Sequence, residues 1–390
     1  MVAIHTLFGS GLDNFHATLN RRLFKRRPRP QLPQHTRFLE FLLETLQGFV
    51  DRLVVFNVND KHVFEILCLA KTGSKDSRFD RMKQAIIDLG TNTFHLLIVE
   101  KQRNESYTTL FRESRPAKIG QAGINQGFIT EDGIERALTI LSYFRQKLDQ
   151  FGVMPEQVTA TGTSAIRVAR NQAEFIERVR QTTGIQVRVI SGEQEADHIY
   201  HGVRAAGALD DQTALIIDIG GGSVEFILGN KTRPFWKQSF EIGGQRLRER
   251  FMAGADTISS ASIRRLHDYF QEQLLPLANA IHQYTPTVLV GSSGSFDTLV
   301  DMWFMHEYGI LPPPDQTAFD LPVTEFYRAY ELLVTHNHAE RMQIPGMIEQ
   351  RVNMIVVAVC LINYVLNTYS LKQIRTSTYS LREGVLASLK

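Results

Sequence analysis

Two short segments of the chain carry residues that could handle phosphate. Asp88-Leu-Gly-Thr-Asn-Thr93 and Asp218-Ile-Gly-Gly-Gly-Ser223 share one layout: an acid, an apolar residue, a glycine, then three small or polar residues. A glycine-rich turn gathers successive backbone N–H groups into an anion-sized hollow, and no Cβ keeps a phosphate away. Thr91, Asn92 and Thr93 in one segment, and Gly220, Gly221, Gly222 and Ser223 in the other, are therefore candidate phosphate ligands, the hydroxyls adding donors. The aspartates would repel phosphate by themselves. Asp88 and Asp218 thus imply a divalent cation, Mg2+ (or Mn2+), or an oriented water between them. Glu225, two residues past Ser223, is a further carboxylate for the metal. One Asp-Gly pair alone would more often be a plain turn; two matched copies about one domain length apart favour a site.

A second kind of chemistry is offered by Glu195, in Ser191-Gly-Glu-Gln-Glu195-Ala. A helix from Gly192 places Glu195 on one face with Ile199, Gly202, Val203 and Ala206. A carboxylate on an apolar stripe tends toward a raised pKa, which suits a general base for water. The alternative is a helix-end acid favoured by the macrodipole. His95 reads as a packed strand residue, and His336-Asn-His338 as a polar loop or helix end, since no acid or cysteine stands at a useful metal-ligand spacing.

The elements that must position these groups alternate. Each Asp-tipped segment joins two apolar runs, Ala85–Leu89 to Phe94–Val99 and Leu215–Ile219 to Val224–Leu228, a hairpin signal because glycine and asparagine supply the positive φ of tight turns. After the first hairpin come a strand over 107–113, a helix from Thr130 to Gly152, a strand over 157–161, a helix over 164–181, a strand over 185–190 and a helix over 192–206. After the second come a strand over 235–240, helices through Gln283, a strand over 287–290, the turn Gly291-Ser-Ser-Gly294-Ser, and then mostly helix. This order predicts an α/β protein of two related domains, 82–208 and 209–390, with mixed sheets flanked by helices and the hairpins facing across a cleft.

The paired loops resemble the phosphate motifs of the actin-like ATPase superfamily. Three further stretches resemble its exopolyphosphatase/guanosine pentaphosphate phosphatase (Ppx/GppA) family: Thr161-Gly-Thr-Ser-Ala-Ile-Arg167, Ser191-Gly-Glu-Gln-Glu195-Ala and Leu381-Arg-Glu-Gly384. The resemblance implies two actin-like, ribonuclease H-like domains in the short form of the family. It implies Glu195 as catalytic base acting with Asp88 and Asp218, Arg167 as a phosphate-binding arginine, Mg2+ as cofactor and a homodimer. Its substrates are inorganic polyphosphate or guanosine pentaphosphate, hydrolysed at terminal phosphoanhydride bonds. The Gly291 turn carries more serine than the family's nucleotide-side loop. Three rivals stay open: an ATPase or kinase of the superfamily, a polyphosphate or guanosine-phosphate sensor with little turnover, and a nucleic-acid-binding role for the basic N-terminal arm within residues 1–81.

The 390-residue composition, 43% hydrophobic and 22% charged, is that of a globular protein, and a net charge of +2 is too mild to imply nucleic acid. The longest apolar run, Met354–Ile362, is too short to cross a membrane. Cys68 and Cys360 form no disulfide framework, which fits a cytoplasmic location. Residues 1–81 read as an extension in which Arg21, Arg22, Lys25, Arg26, Arg27 and Arg29 sit among prolines, with Met82 as a candidate natural start.

Overall fold

The structure is a computed structural model that describes residues 82–102 and 106–389; the expectations for residues 1–81 lie outside it. The first sheet opens with β1 (Lys83–Leu89), β2 (Thr93–Lys101) and β3 (Tyr107–Pro116), antiparallel neighbours. The chain then runs through α1 (Glu131–Gln150) to β4 (Val158–Gly162), which pairs parallel to β1. Short helices α2 (Ser164–Arg167) and α3 (Gln172–Thr183) lead to β5 (Val187–Val189), and α4 (Gly192–Ala205) follows. The strand order is β3-β2-β1-β4-β5. The single helix expected over 164–181 is broken, because Asn171 uses its side chain to bond the backbone of Ile129 at both N and O (3.0 and 2.9 Å) and Arg170 N donates to Gly127 O (2.8 Å). Those partners pull the chain into a turn.

The second sheet repeats the plan. Its hairpin is β6 (Ala214–Ile219) and β7 (Val224–Gly229), with β8 (Pro234–Phe240) beside it. Helices α5 (Gly244–Phe251), α6 (Ser260–Gln273) and α7 (Leu275–Tyr284) precede β9 (Val288–Ser292) and α8 (Gly294–Glu307). After β10 (Ala318–Leu321) come α9 (Val323–Thr335), α10 (His338–Met342) and α11 (Ile355–Thr368); β11 (Ile374–Ser377) and α12 (Leu381–Ser388) close the chain. The order β10-β11-β9-β6-β7-β8 contains, read from β8, the same 3-2-1-4-5 arrangement as the first sheet, plus β10 at the edge. This duplication is the expected α/β arrangement of two related mixed sheets flanked by helices. Strands β10 and β11 fall where mostly helix was expected; with four residues each, Ala-Phe-Asp-Leu and Ile-Arg-Thr-Ser, they carry too little pattern to declare themselves.

Two helices lie between the sheets. Ile199, Tyr200 and Val203 of α4 and Leu381 and Val385 of α12 share one core with Ile86, Leu97 and Val99 of the first sheet and Ile216, Ile227 and Val290 of the second. Both helices begin with a side-chain cap: at α4 it is reciprocal, Gln194 N donating to Ser191 Oγ (3.1 Å) and Ser191 N to Gln194 Oε1 (3.0 Å), and at α12 Ser380 N donates to Glu383 Oε2 (3.0 Å). They touch through glycines, since a Cβ on Gly202 would overlap the Ser380 carbonyl and one on Gly384 the His198 carbonyl. The C-terminal helix therefore completes the packing around α4. The apolar run before Asn363 is α11, buried from Ile355 through Ile362, and among the described residues no helix is long and apolar enough to cross a membrane.

Candidate active site

Each hairpin loop is strapped from behind by its carbonyls. In the second, Gly244 N, Gln245 N and Gly243 N at the start of α5 donate to the carbonyls of Gly220 (2.9 Å), Gly221 (2.8 Å) and Gly222 (3.0 Å). Carbonyl and N–H of one trans peptide point in opposite directions, so the N–H groups of Gly221, Gly222 and Ser223 are aimed away from α5. The first loop is held alike: Gly120 N bonds Thr91 O (3.1 Å), and Ala117 N and Lys118 N bond Asn92 O (2.8 and 2.9 Å). The loops face each other closely. A Cβ on Gly221 would fall 2.5 Å from Asn92 Nδ2, and one on Gly222 would fall 2.6 Å from Thr91 Oγ1.

Between them lies a cavity of about 90 Å³ whose wall includes Asp88, Thr91, Asn92, Thr93, Glu195, Asp218 and Gly220 to Ser223. A water needs roughly 10–15 Å³ of such space, so the cavity suits one phosphoryl group with a water or two. Glu195 is buried (7% exposed) at the first turn of α4, and Arg167 Nη1 lies 2.7 Å from its Oε2. Burial pushes its carboxyl up to about 7; Arg167 opposes the shift, and Asp218 and Glu241 add to it. Asp88 is likewise pushed up to about 7 by burial against the pull of Arg382, and its Oδ1 has no hydrogen-bond partner. Asp218 is raised by burial, partly offset by the hydroxyls that donate to its Oδ2, Ser292 Oγ at 2.7 Å and Ser380 Oγ.

Two candidates stand elsewhere than their sequence roles suggested. Arg167 is not on the cavity wall: it is drawn to two carboxylates, Glu195 and Glu241 (3.2 Å), and to Ile190 O (3.3 Å). Glu225 is also off the wall, 1% exposed, accepting from Ser239 Oγ at 2.7 Å and pushed well up by burial and by Glu195 and Asp218. Asp88, Asp218 and Glu225 do not converge as a three-ligand set. Among the described residues only His306, Glu307 and Glu325 bring three ligand atoms within 4.8 Å, on the outer ends of α8 and α9. A hard cation that takes one or two carboxylates and completes its shell with water and phosphate oxygens still fits Asp88 and Asp218. The free Asp88 Oδ1, and four buried carboxyl groups that burial and one another hold toward neutrality, are what such a charge would satisfy.

Arg351 and Met354, also on the wall, gave no sequence signal of their own. Arg351 comes from the irregular segment before α11, and its guanidinium lies against Gly294. Met354 meets Asn92 Nδ2 across the cleft, and Ser380 precedes the Leu381-Arg-Glu-Gly segment. The Gly291 turn serves Asp218 through Ser292, while Ser293 and Ser295 line the wall. His338 bonds Asn353 Oδ1 (2.9 Å), in keeping with a polar segment.

Fold and site together define an α/β protein of two matching sheets with an acid-lined cavity at their hairpin loops. The model of the Ppx/GppA phosphatase family matches residues 97–390, and the chain belongs to that family. An exopolyphosphatase from Cytophaga hutchinsonii, known from its crystal structure, is 45% identical and superposes with a TM-score of 0.75, covering 79% of this chain and 97% of its own. The Aquifex aeolicus family member is 25% identical with a TM-score of 0.64, over 79% of this chain and 97% of its own.

Proposed function

We propose that the protein hydrolyses terminal phosphoanhydride bonds of inorganic polyphosphate, releasing orthophosphate, with guanosine pentaphosphate as a second candidate substrate. The observation that carries this is Glu195 in a cavity of about 90 Å³ between two loops of anion-binding form. The 45% identity to an exopolyphosphatase supports polyphosphate over the guanosine compound.

In this reading the terminal phosphate accepts hydrogen bonds from the N–H groups of Gly221, Gly222 and Ser223 and from Thr91, Asn92 and Thr93. Phosphoryl transfer needs positioning and charge stabilisation more than covalent chemistry, and these donors are preorganised by the strapped carbonyls. Glu195, with a carboxyl near 7, is poised to take a proton from the attacking water at neutral pH. Arg167 holds Glu195 at 2.7 Å and keeps part of its population ionised. Bound Mg2+ (or Mn2+) at Asp88 and Asp218 would offset phosphate charge and polarise the scissile phosphorus. Glu225, opposite Asp218 and bonded by Ser239 Oγ, backs that carboxyl from the next strand.

The test is phosphate release from polyphosphate. Glu195→Gln is expected to lower kcat by about 10²–10⁴-fold, the usual worth of a general base, with polyphosphate binding retained. Release that persisted in this variant, or that required ADP, would point instead to the kinase or ATPase reading.

A further inference from the structure

The duplicated strand order creates an equivalence that the two hairpins fill with different chemistry. His95 stands directly opposite Asp88 in the first hairpin, and Glu225 opposite Asp218 in the second. The next strand continues the match, Ser114 opposite His95 and Ser239 opposite Glu225. Each serine hydroxyl bonds its neighbour, Ser114 Oγ to His95 Nδ1 at 2.6 Å and Ser239 Oγ to Glu225 Oε1 at 2.7 Å. An imidazole thus occupies the place of a carboxylate, and it lines the cavity where its counterpart does not.

The state of that imidazole follows from its other partner. Arg382 Nη1, from the first turn of α12, lies 3.1 Å from His95 Nδ1. A guanidinium has donors only, so Nδ1 must be the acceptor and the ring's proton sits on Nε2. With Nδ1 an acceptor, the ring carries a single proton and is neutral. A neutral ring with its proton on Nε2 offers a fixed N–H donor to a phosphate oxygen, which an ionised carboxylate cannot do.

We propose that His95 is a phosphate-contacting residue, a neutral Nε2–H donor to the phosphate held by the first hairpin, and that Arg382 is the positioning residue that sets its tautomer. The two hairpins then differ at one matched position: the first carries an imidazole donor beside Asp88, the second a buried carboxyl, Glu225, beside Asp218. The inference rests on the phosphohydrolase reading above.

The kinetic arm compares three variants of the full chain. His95→Leu is expected to lower kcat for phosphate release from polyphosphate by about 10²-fold, the scale of one lost transition-state donor, with an unchanged thermal midpoint. His95→Gln, which keeps one acceptor and one donor, is expected to recover to within about tenfold of wild type, and His95→Glu, which copies Glu225, to do no better than leucine. Wild-type kcat in His95→Leu, or glutamine no better than leucine, would overturn the proposal. The second arm is 15N NMR of histidine-labelled protein: wild type should show His95 protonated at Nε2 alone, with that signal moving when orthophosphate is added, and Arg382→Leu should mix the tautomers. A proton on Nδ1, or no response to orthophosphate, would sink the inference. A wild-type protein that released no phosphate would overturn the functional reading, while NMR would still decide the state of His95.

Discussion

At the scale of single residues the cavity is a contest between burial and charge. Glu195 and Asp88 are both pushed to about 7, far from the usual carboxylate range, because little water reaches them. A base must be ionised to act, so kcat/KM should rise with pH through an apparent value near 7. Arg167 pulls the Glu195 carboxyl down, so Arg167→Met should move that limb to higher pH, by about one unit or more for a 2.7 Å pair of low exposure. A pH profile with an unmoved limb would contradict the pairing. Asp88 carries a stability consequence of its own. Its folded carboxyl, raised above the ordinary 3.8, favours the protonated form, so the stabilisation is complete below about 4 and lost as pH rises through about 7. Metal-free Asp88→Asn should therefore melt higher than wild type at pH 8, by on the order of 1–3 kcal/mol, and match it near pH 4. Asp88, Glu195 and Asp218 were legible in the sequence because acid-plus-glycine spacing survives without knowledge of the fold. Arg351 was not, since it arrives from a segment with no motif and is brought in by how α11 packs.

Among elements, α4 and α12 matter most for the site. They stand between the sheets, and the first turns of both reach the cavity, through Glu195 on α4 and through Ser380 and Leu381 at the start of α12. Their contact depends on Gly202 and Gly384, which leave room for the opposing carbonyls. Gly384→Ala should cost about 1–3 kcal/mol, the usual penalty for forcing atoms into a packed contact, and should also shift Ser380 away from Asp218 and so lower kcat. Denaturant midpoints and phosphate release measured on the same variant would check both; an unaltered kcat in a destabilised variant would separate the packing from the site. The amphipathic face of α4 was readable from spacing alone, with Glu195, Ile199, Gly202 and Val203 all buried. The break between α2 and α3 was not, because the bonds that cause it run from Asn171 to Ile129.

For the molecule as a whole, the cavity draws its wall from both hairpins and from α4 and α12, so ligand that fits it should stabilise the fold. Non-cleavable polyphosphate analogue with Mg2+ at a hundredfold over its Kd should raise stability by about 2.7 kcal/mol, an effect abolished by chelator if the cation bridges Asp88 and Asp218. Differential scanning calorimetry with and without chelator would decide it. The sequence by itself determined the duplication, the two Asp-tipped loops and the buried face of α4, because turn chemistry and helical period are written in neighbouring residues. The tertiary structure decided what those residues touch. It turned Arg167 onto Glu195, put Glu225 behind Asp218 and His95 on the cavity wall, and carried Ser380 and Arg382 to the cleft from the far end of the chain. Such pairings join positions that are distant in the chain, and only the packing of α12 against α4 between the two sheets brings them together.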